Sequence, residues 1–297
     1  MIYTIRHVTR YRYPTPVRES VMEVRKQPLT NEHQRCVNFH LTISPEVPIL
    51  RYQDHLGNQV HHFDVPWSHQ EISVTAEAVV EVKTAAAESP DSEGSWDELD
   101  AITGQADYWD MLMPSRFVEP GPALLKLAEE LDAKRRLTPL ALVRELNRSL
   151  HSNFVYDRSI TKVDSPIALA LEARRGVCQD FAHILLGLLR HVAVPARYIS
   201  GYLYLEPGSN ELVGPETRGS HAWIEAFLPR LGWVGFDPSL GELADHRHIA
   251  ASIGRDYSDV PPTRGVYRGE AKGELTYAVQ VHPPEEPLEE DRFRLIP

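Results

Sequence analysis

The period of apolar and polar positions changes once along the chain. From residue 1 to about 84 short runs rich in Val, Ile, Thr and aromatics alternate with period two: "MIYTIRHVTRYRY", "ESVMEVRKQPL", "RCVNFHLTISP", "HHFDVPW" and "EISVTAEAVVEVKT". Pro, Asn and Gly divide them, as expected of short strands. "HLGNQVHHF" sets a Gly-Asn pair between extended arms, a hairpin signal. This spacing predicts a small antiparallel β sandwich or barrel over residues 1–84. The polar, acidic "TAAAESPDSEGSWDELD" then reads as a linker over 85–100.

From residue 101 to 297 helices come first. "GPALLKLAEELDAK" has a helical apolar face, with Pro122 suited to a first turn. "TPLALVRELNRSLHSNF" offers Thr138 as N-cap and Pro139 at the first helical position. "SPIALALEARRG" repeats the device with Ser165 and Pro166, and Gly176 is its expected stop. A further helix opens at Cys178 and ends before Pro195. Strands follow in "ARYISGYLYL", "HAWIEAFLP" and "GWVGFDPS", and "RGVYRGEAKGELTYAVQVH" adds one or two more. Helices followed by strands predict an α+β domain.

Composition narrows the chemistry. The 297 residues carry a net charge of −11. No wide basic face is expected, so nucleic acid and anionic membrane are not expected partners. The N-terminus lacks an apolar run of signal-peptide length, and no stretch reaches the roughly 18 apolar residues of a membrane span. The cytoplasm is the expected location, where a lone thiol stays reduced. Only two cysteines occur, Cys36 and Cys178, too few for a disulfide scaffold or a cysteine-rich zinc site. The histidine-rich "HH" at 61–62 and "DHRH" at 245–248 lack a second cluster at zinc-site spacing, so no metal and no cofactor are expected. No run of acidic ligands suggests calcium.

Cys178 follows Gly176-Val177 in "RRGVCQDFAHILLGLLR". A first helical turn has free N–H groups and partial positive charge, which favour a thiolate, and its amides lie where an oxyanion would form. A thiolate nucleophile needs a base, and the base an orienting group. "GSHAWIEAF" supplies His221 at a strand start, and "GWVGFDPS" supplies Asp237 at the end of the next strand. Antiparallel pairing brings the start of one strand opposite the end of the other. Pro238 stops the second strand, which predicts the Asp237 carboxylate at a sheet edge. Taken singly, a buried helix cysteine, a structural strand histidine and a turn aspartate are the commoner occurrences; the ordered set of three points to acyl transfer.

"RRGVCQDFAHILLGLLRHVAVPARYISGYLY", "SHAWIEAFLPRLGWVGFDPS" and "GRDYSDVPPTRGVYRG" resemble the bacterial transglutaminase-like proteins of the papain-like superfamily, and the β-rich N-terminus resembles the domain that accompanies that core. The resemblance implies a papain-like core with the cysteine helix packed on an antiparallel sheet. It also implies a triad of Cys178, His221 and Asp237, and a peptide or protein substrate. Hydrolysis and transfer to an amine share this triad, as does a binding module that kept the fold.

Four more residues are candidates for substrate or oxyanion contacts. Tyr156 has a hydroxyl suited to an oxyanion, against the alternative of a half-buried strand tyrosine. Gln179 and Asp180 share the first turn with Cys178. Asp180 is expected to point away from the sulfur, toward a basic substrate group or an arginine, because facing the sulfur it would oppose ionisation. Trp223 shares a strand face with His221 and either walls the cleft or packs the core. His183 projects from another side of the helix than Cys178 and reads as structural. The Arg255–Pro262 segment reads as a fixed loop.

Overall fold

Pro14 and Pro16 have no amide to give a ladder, yet residues on either side of them form one strand, β1 (Ile2–Val24). The computed structural model describes residues 1–83, 94–104, 108–206 and 220–284. The first half of β1 pairs with β5 (His69–Val82) and β14 (Glu274–His282). Its register with β5 shifts between Arg12 and Val17, where the prolines lie, and its second half pairs with β4 (Gln59–Val65) and β13 (Thr263–Arg268). With β2 (Gln34–Ser44) beside β5 and β3 (Leu50–Gln53) beside β4, the seven-stranded sheet curls on itself. Met22, Val24, Phe63 and Val65 of one arm meet Ile43, Ile72 and Val74 of the other in one buried cluster, the interior of a sandwich.

The core contains α1 (Trp96–Thr103), α2 (Trp109–Leu112), α3 (Pro122–Glu130), α4 (Pro139–Asn153), β6 (Val155–Tyr156), α5 (Ile167–Ala173), β7 (Arg175–Gly176) and α6 (Cys178–His191). After them come β8 (Ala196–Leu203), β9 (Ser220–Leu228), β10 (Gly232–Asp237), β11 (Glu242–Leu243) and β12 (His248–Gly254). These five strands form an antiparallel sheet in the order β11-β10-β9-β8-β12. Every residue of α6 from Gln179 to Leu189 is buried, because α6 lies between β8 and β9 and the helices α3, α4 and α5. Phe181, Ile184, Leu185, Leu186, Leu188 and Leu189 each contribute about 1.5–3 kcal/mol of apolar transfer there. The α+β expectation of a cysteine helix on an antiparallel sheet behind a β sandwich holds.

Several local expectations need correction. Residues 85–93 of the expected linker lie outside the described residues, but its end is helical: Ser95 caps α1, its hydroxyl accepting from Glu98 N–H while the Glu98 carboxylate accepts from Ser95 N–H. Thr138 caps α4 as expected. Ser165 does not cap α5; its hydroxyl accepts from Lys162 N–H, and Pro166 is the capping position. Arg174, at φ 52°, turns the chain out of α5 in place of Gly176. The C-terminal strands β13 and β14 join the N-terminal sheet through β1 rather than the core sheet, since the core sheet's edge is already covered.

That edge is β12. Gln34 donates through Nε2 to the carbonyls of Leu29 and Ala250 (2.8 Å each), and its Oε1 accepts from Ala250 N–H at 2.8 Å. Asn58 donates to Ile253 O at 2.8 Å and accepts from Ile253 N–H at 2.7 Å. Two side-chain amides thus take the hydrogen bonds a further strand would make. Tyr3, Ile5, Ala78, Val80 and Val82 of the sandwich pack on Tyr202, Ile249 and Ala251 beside them.

Gly201 of β8 pairs in register with His221, and a Cβ there would lie 2.2 Å from the Ile249 carbonyl oxygen and 2.7 Å from the Trp223 ring. Gly201→Ala is therefore expected to lower stability by about 1–3 kcal/mol, read as an earlier urea midpoint. An unchanged midpoint would show that β12 yields at no cost.

Candidate active site

Cys178 is the first residue of α6, half-buried. The residue before it, Val177, has extended backbone (φ −106°, ψ 176°) and no side-chain acceptor, so no N-cap side chain competes for the amides of the first turn. The parallel pair β6–β7 sets Tyr156 opposite Gly176, two residues before the cysteine. A Cβ on Gly176 would lie 2.6 Å from the Asp180 carboxylate, so the glycine gives that side chain room to fold back. Asp180 Oδ2 accepts from Val177 N–H at 2.8 Å and from the Thr161 hydroxyl at 2.6 Å.

His221 and Asp237 come from the β9–β10 hairpin. The pairs Leu228↔Gly232 through Ile224↔Phe236 fix its register, and the reversal uses Arg230 (φ 64°) and Gly232 (φ 73°). His221 Nε2 then stands 2.6 Å from Asp237 Oδ2. The Cys178 sulfur lies near enough to add to the ring's basicity, and because Asp237 occupies Nε2, Nδ1 is the nitrogen left to face it. The three side chains are neighbours in the order sulfur, imidazole, carboxylate. Burial opposes a charge on His221, but the charge and hydrogen bond of Asp237, followed by those of Cys178, outweigh it and push the ring up to about 10. Burial likewise favours the neutral form of Asp237, and His221 followed by His248 reverses this, holding the carboxyl far below the usual range.

Asp237 is not at a sheet edge. It pairs with Glu242 of β11 and is fully buried. Five donors satisfy it. Oδ1 accepts from Ser239 N–H (2.9 Å), the Ser239 hydroxyl (2.7 Å) and Leu240 N–H (3.3 Å). Oδ2 accepts from His221 and, at 3.1 Å, from His248 Nε2. His248 is the group that sequence reasoning missed at this site. Its segment was considered only for metal, and the usable signal was an aspartate three positions before it, Asp245, whose backbone N–H meets His248 Nδ1 at 3.1 Å.

The remaining candidates divide. Tyr156 is half-buried beside Cys178; burial, then the neighbouring sulfur, raises its phenol well above the ordinary value. Asp180 does point away from the sulfur, but to Thr161 and a backbone amide rather than to an arginine or open cleft, and burial raises its carboxyl. Gln179 is buried and donates to Val163 O at 2.9 Å, so neither first-turn side chain is presented to a substrate. Trp223 is 2 % exposed; it stacks on His221 and packs edge-on against His248, so it supports the site from the core instead of walling a cleft. His183 is structural as expected, stacked on Phe117 and accepting from Tyr257 N–H at 3.2 Å. Asp256, in the fixed loop, accepts from Phe117 N–H and Ser258, and Arg255 pairs with Asp259, so the segment ties β12 to the connection between α2 and α3.

Ligand atoms of His221, Asp237 and His248 lie within 4.8 Å of one another. Two atoms sharing a tetrahedral zinc at 2.0–2.1 Å would stand about 3.3 Å apart. The 2.6 Å contact between His221 and Asp237 is the separation of a shared proton, so the set does not fit a metal as it stands. His61 and His62 diverge: the first is buried, the second pairs with Asp64.

Residues 3–81 match the bacterial transglutaminase-like N-terminal region, and residues 126–238 match the transglutaminase-like superfamily. An uncharacterized protein of Mycobacterium leprae is 33% identical over 276 residues, covering 93% of this chain and 96% of its own. A protein-glutamine gamma-glutamyltransferase of Pseudomonas aeruginosa is 32% identical over 123 residues, which span 40% of this chain and 18% of that one. In structure, a candidate cysteine protease from Cytophaga hutchinsonii has the same fold, with a TM-score of 0.78 and 19% identity over 97% of this chain and 92% of that one. The sandwich, the cysteine helix and the matched sequence blocks agree: the chain belongs to the bacterial transglutaminase-like family.

Proposed function

We propose that the protein is a cysteine-dependent acyl-transfer enzyme that hydrolyses a peptide or amide bond through a thioester. The observation that carries this reading is the His221 ring bound to the buried Asp237 carboxylate with the Cys178 sulfur beside it. A binding module would have no chemical need for a thiol, a base and an orienting carboxylate in line.

The Cys178 sulfur attacks the carbonyl carbon, forming a C–S bond as the carbonyl pair moves to oxygen. The first-turn amides of α6 and the Tyr156 hydroxyl are the donors beside that oxygen. Collapse breaks the C–N bond, and protonated His221 delivers its Nδ1 proton to the leaving amine. The neutral ring then takes a proton from water, whose oxygen attacks the thioester. The acid leaves and the thiol regains its proton. Asp237 holds the ring's Nε2–H throughout and balances its charge. An amine in place of water yields a new amide, the outcome suggested by the name of the Pseudomonas aeruginosa relative. Among the described residues no other group in the site is built for an amine acceptor, which favours water. The substrate in this reading is a peptide or protein, acted on in a reduced compartment such as the cytoplasm.

At pH 6, iodoacetamide labels Cys178 faster than Cys36, whose thiol burial pushes up, and His221→Ala removes the difference; equal rates in the wild type would favour a binding module. Incubation of wild type and Cys178→Ala with a peptide library, followed by mass spectrometry, yields an adduct on the wild type alone. Free acid identifies water as acceptor, and amide exchange would identify an amine. Chelation leaves the yield unchanged, whereas its loss would restore a metal reading. Asp237→Asn lowers kcat/KM by about 10²–10⁴-fold. Because Asp237 holds His221 up to about 10, its loss lets the ring shed its proton at lower pH. The alkaline limb of the rate profile therefore moves toward neutrality, and an unmoved limb would detach Asp237 from the base.

A further inference from the structure

Asp237 Oδ2 receives two imidazoles, not one. His248 is the first residue of β12, its side chain 2 % exposed, and its Nε2 lies 3.1 Å from the same oxygen that binds His221. The other ring nitrogen, Nδ1, meets the Asp245 backbone N–H at 3.1 Å. Nδ1 also lies 3.3 Å from Asp245 Oδ1, but Nε2 faces a carboxylate oxygen that can only accept, so Nε2 carries a proton aimed at Asp237. A carboxylate oxygen has two lone pairs. Those of Oδ2 are filled by His221 and His248, and Oδ1 is held by Ser239 and Leu240. Turning the carboxylate about its Cβ–Cγ bond would break contacts on both oxygens, and with Asp237 fully buried no solvent can replace them.

We propose that His248 is a positioning residue of the triad: its Nε2–H, on a ring anchored at Nδ1 by Asp245, holds Asp237 as an oriented anion facing His221. The proposal rests on the acyl-transfer reading above. Strand order obscures the contact. β12 is separated from β10 by β9 and β8 in the sheet, and residues 238–247 carry the chain back across the strand ends to bring His248 to Asp237. Trp223, with its ring 5.2 Å from His248 and 6.1 Å from His221, packs against both imidazoles.

The titratable groups around His248 come from several elements. Asp237 belongs to β10, and His221, on β9, has its ring 6.0 Å away and Cys178 beyond it. Asp245 precedes β12; its Oδ1 lies 3.3 Å from His248 Nδ1 and its carboxylate pairs with Arg247, which also binds Glu242. From α4, His151 binds the Ser239 carbonyl of the Asp237 turn, and from β1 Tyr3 lies beside Asp245 along with Tyr204. Without the His248 donor, the buried Asp237 anion has lost one of its two compensations on Oδ2 and takes a proton more readily on acidification. A protonated Asp237 no longer orients or balances His221.

The test reads Cys178 alkylation in the full-length protein from pH 5 to 9, in wild type, His248→Leu, His248→Gln, His248→Asn and Asp237→Asn, with melting temperature as the folding control. A glutamine amide places N–H near the position of imidazole Nε2; an asparagine amide places it near Nδ1, out of reach of Oδ2. His248→Leu and His248→Asn are expected to label about tenfold more slowly than wild type at pH 5.5, converging on Asp237→Asn, with the deficit shrinking toward pH 8. His248→Gln is expected within about threefold of wild type across the range. If the deficit is the same at every pH, or if His248→Gln matches His248→Asn, the role is structural and the proposal falls. Should His248→Leu not fold, the glutamine and asparagine variants decide alone. A wild type whose Cys178 labels no faster than Cys36 at pH 6 overturns the acyl-transfer reading and this proposal with it, whereas a fast wild type with unaffected His248 variants overturns only this one.

Discussion

A single buried anion organises the candidate active site. Placing the Asp237 carboxylate where no water reaches it costs several kcal/mol unless charge and hydrogen bonds replace its hydration. Five donors do so, and each imposes a structural demand. The Ser239 and Leu240 amides require the tight turn after β10. The His221 contact requires the hairpin register, and the His248 contact requires residues 238–247 to cross the strand ends before β12 begins. The charge of His221 is a consequence of the same arrangement, since the carboxylate outweighs the burial that would otherwise neutralise the ring.

Helix α6 serves two ends through its two halves. Its body is buried on all sides and supplies much of the core's apolar contact, which leaves little freedom to shift along or rotate about its axis. Its first residue emerges half-buried at the tip, where the backbone amides are least satisfied. Asp180 secures that tip by accepting from Val177 N–H, and Gly176 leaves it space. A rigid body with an open end is what places a sulfur against a ring held by a different layer of the fold.

The sandwich bears on the site through β12. Gln34 and Asn58 close the hydrogen-bonding edge of that strand, and the apolar cluster around Ile249 packs beside them. β12 begins with His248, so the strand braced by the N-terminal sheet is the one that reaches Asp237. The return of β13 and β14 to β1 adds covalent continuity between the two units.

Local rules were enough for much of this architecture. Period-two alternation marked the sandwich strands, Thr138-Pro139 marked the start of α4, and the strand-start and strand-end positions of His221 and Asp237 anticipated their meeting, because hairpin pairing is itself a local rule. Such rules failed where a distant partner decided the outcome. β1 continues past two prolines because its two halves find different neighbours; Ser95 caps a helix inside an acidic, linker-like segment; Asp180 turns to Thr161; and Asp237 is buried by β11 and by His248 from another strand. The chain alone thus determined which residues are the candidates for the proposed chemistry and in what order they come. Only the tertiary structure decided how the carboxylate is held, because the donors that make a buried charge tolerable arrive from elements whose proximity no periodicity encodes.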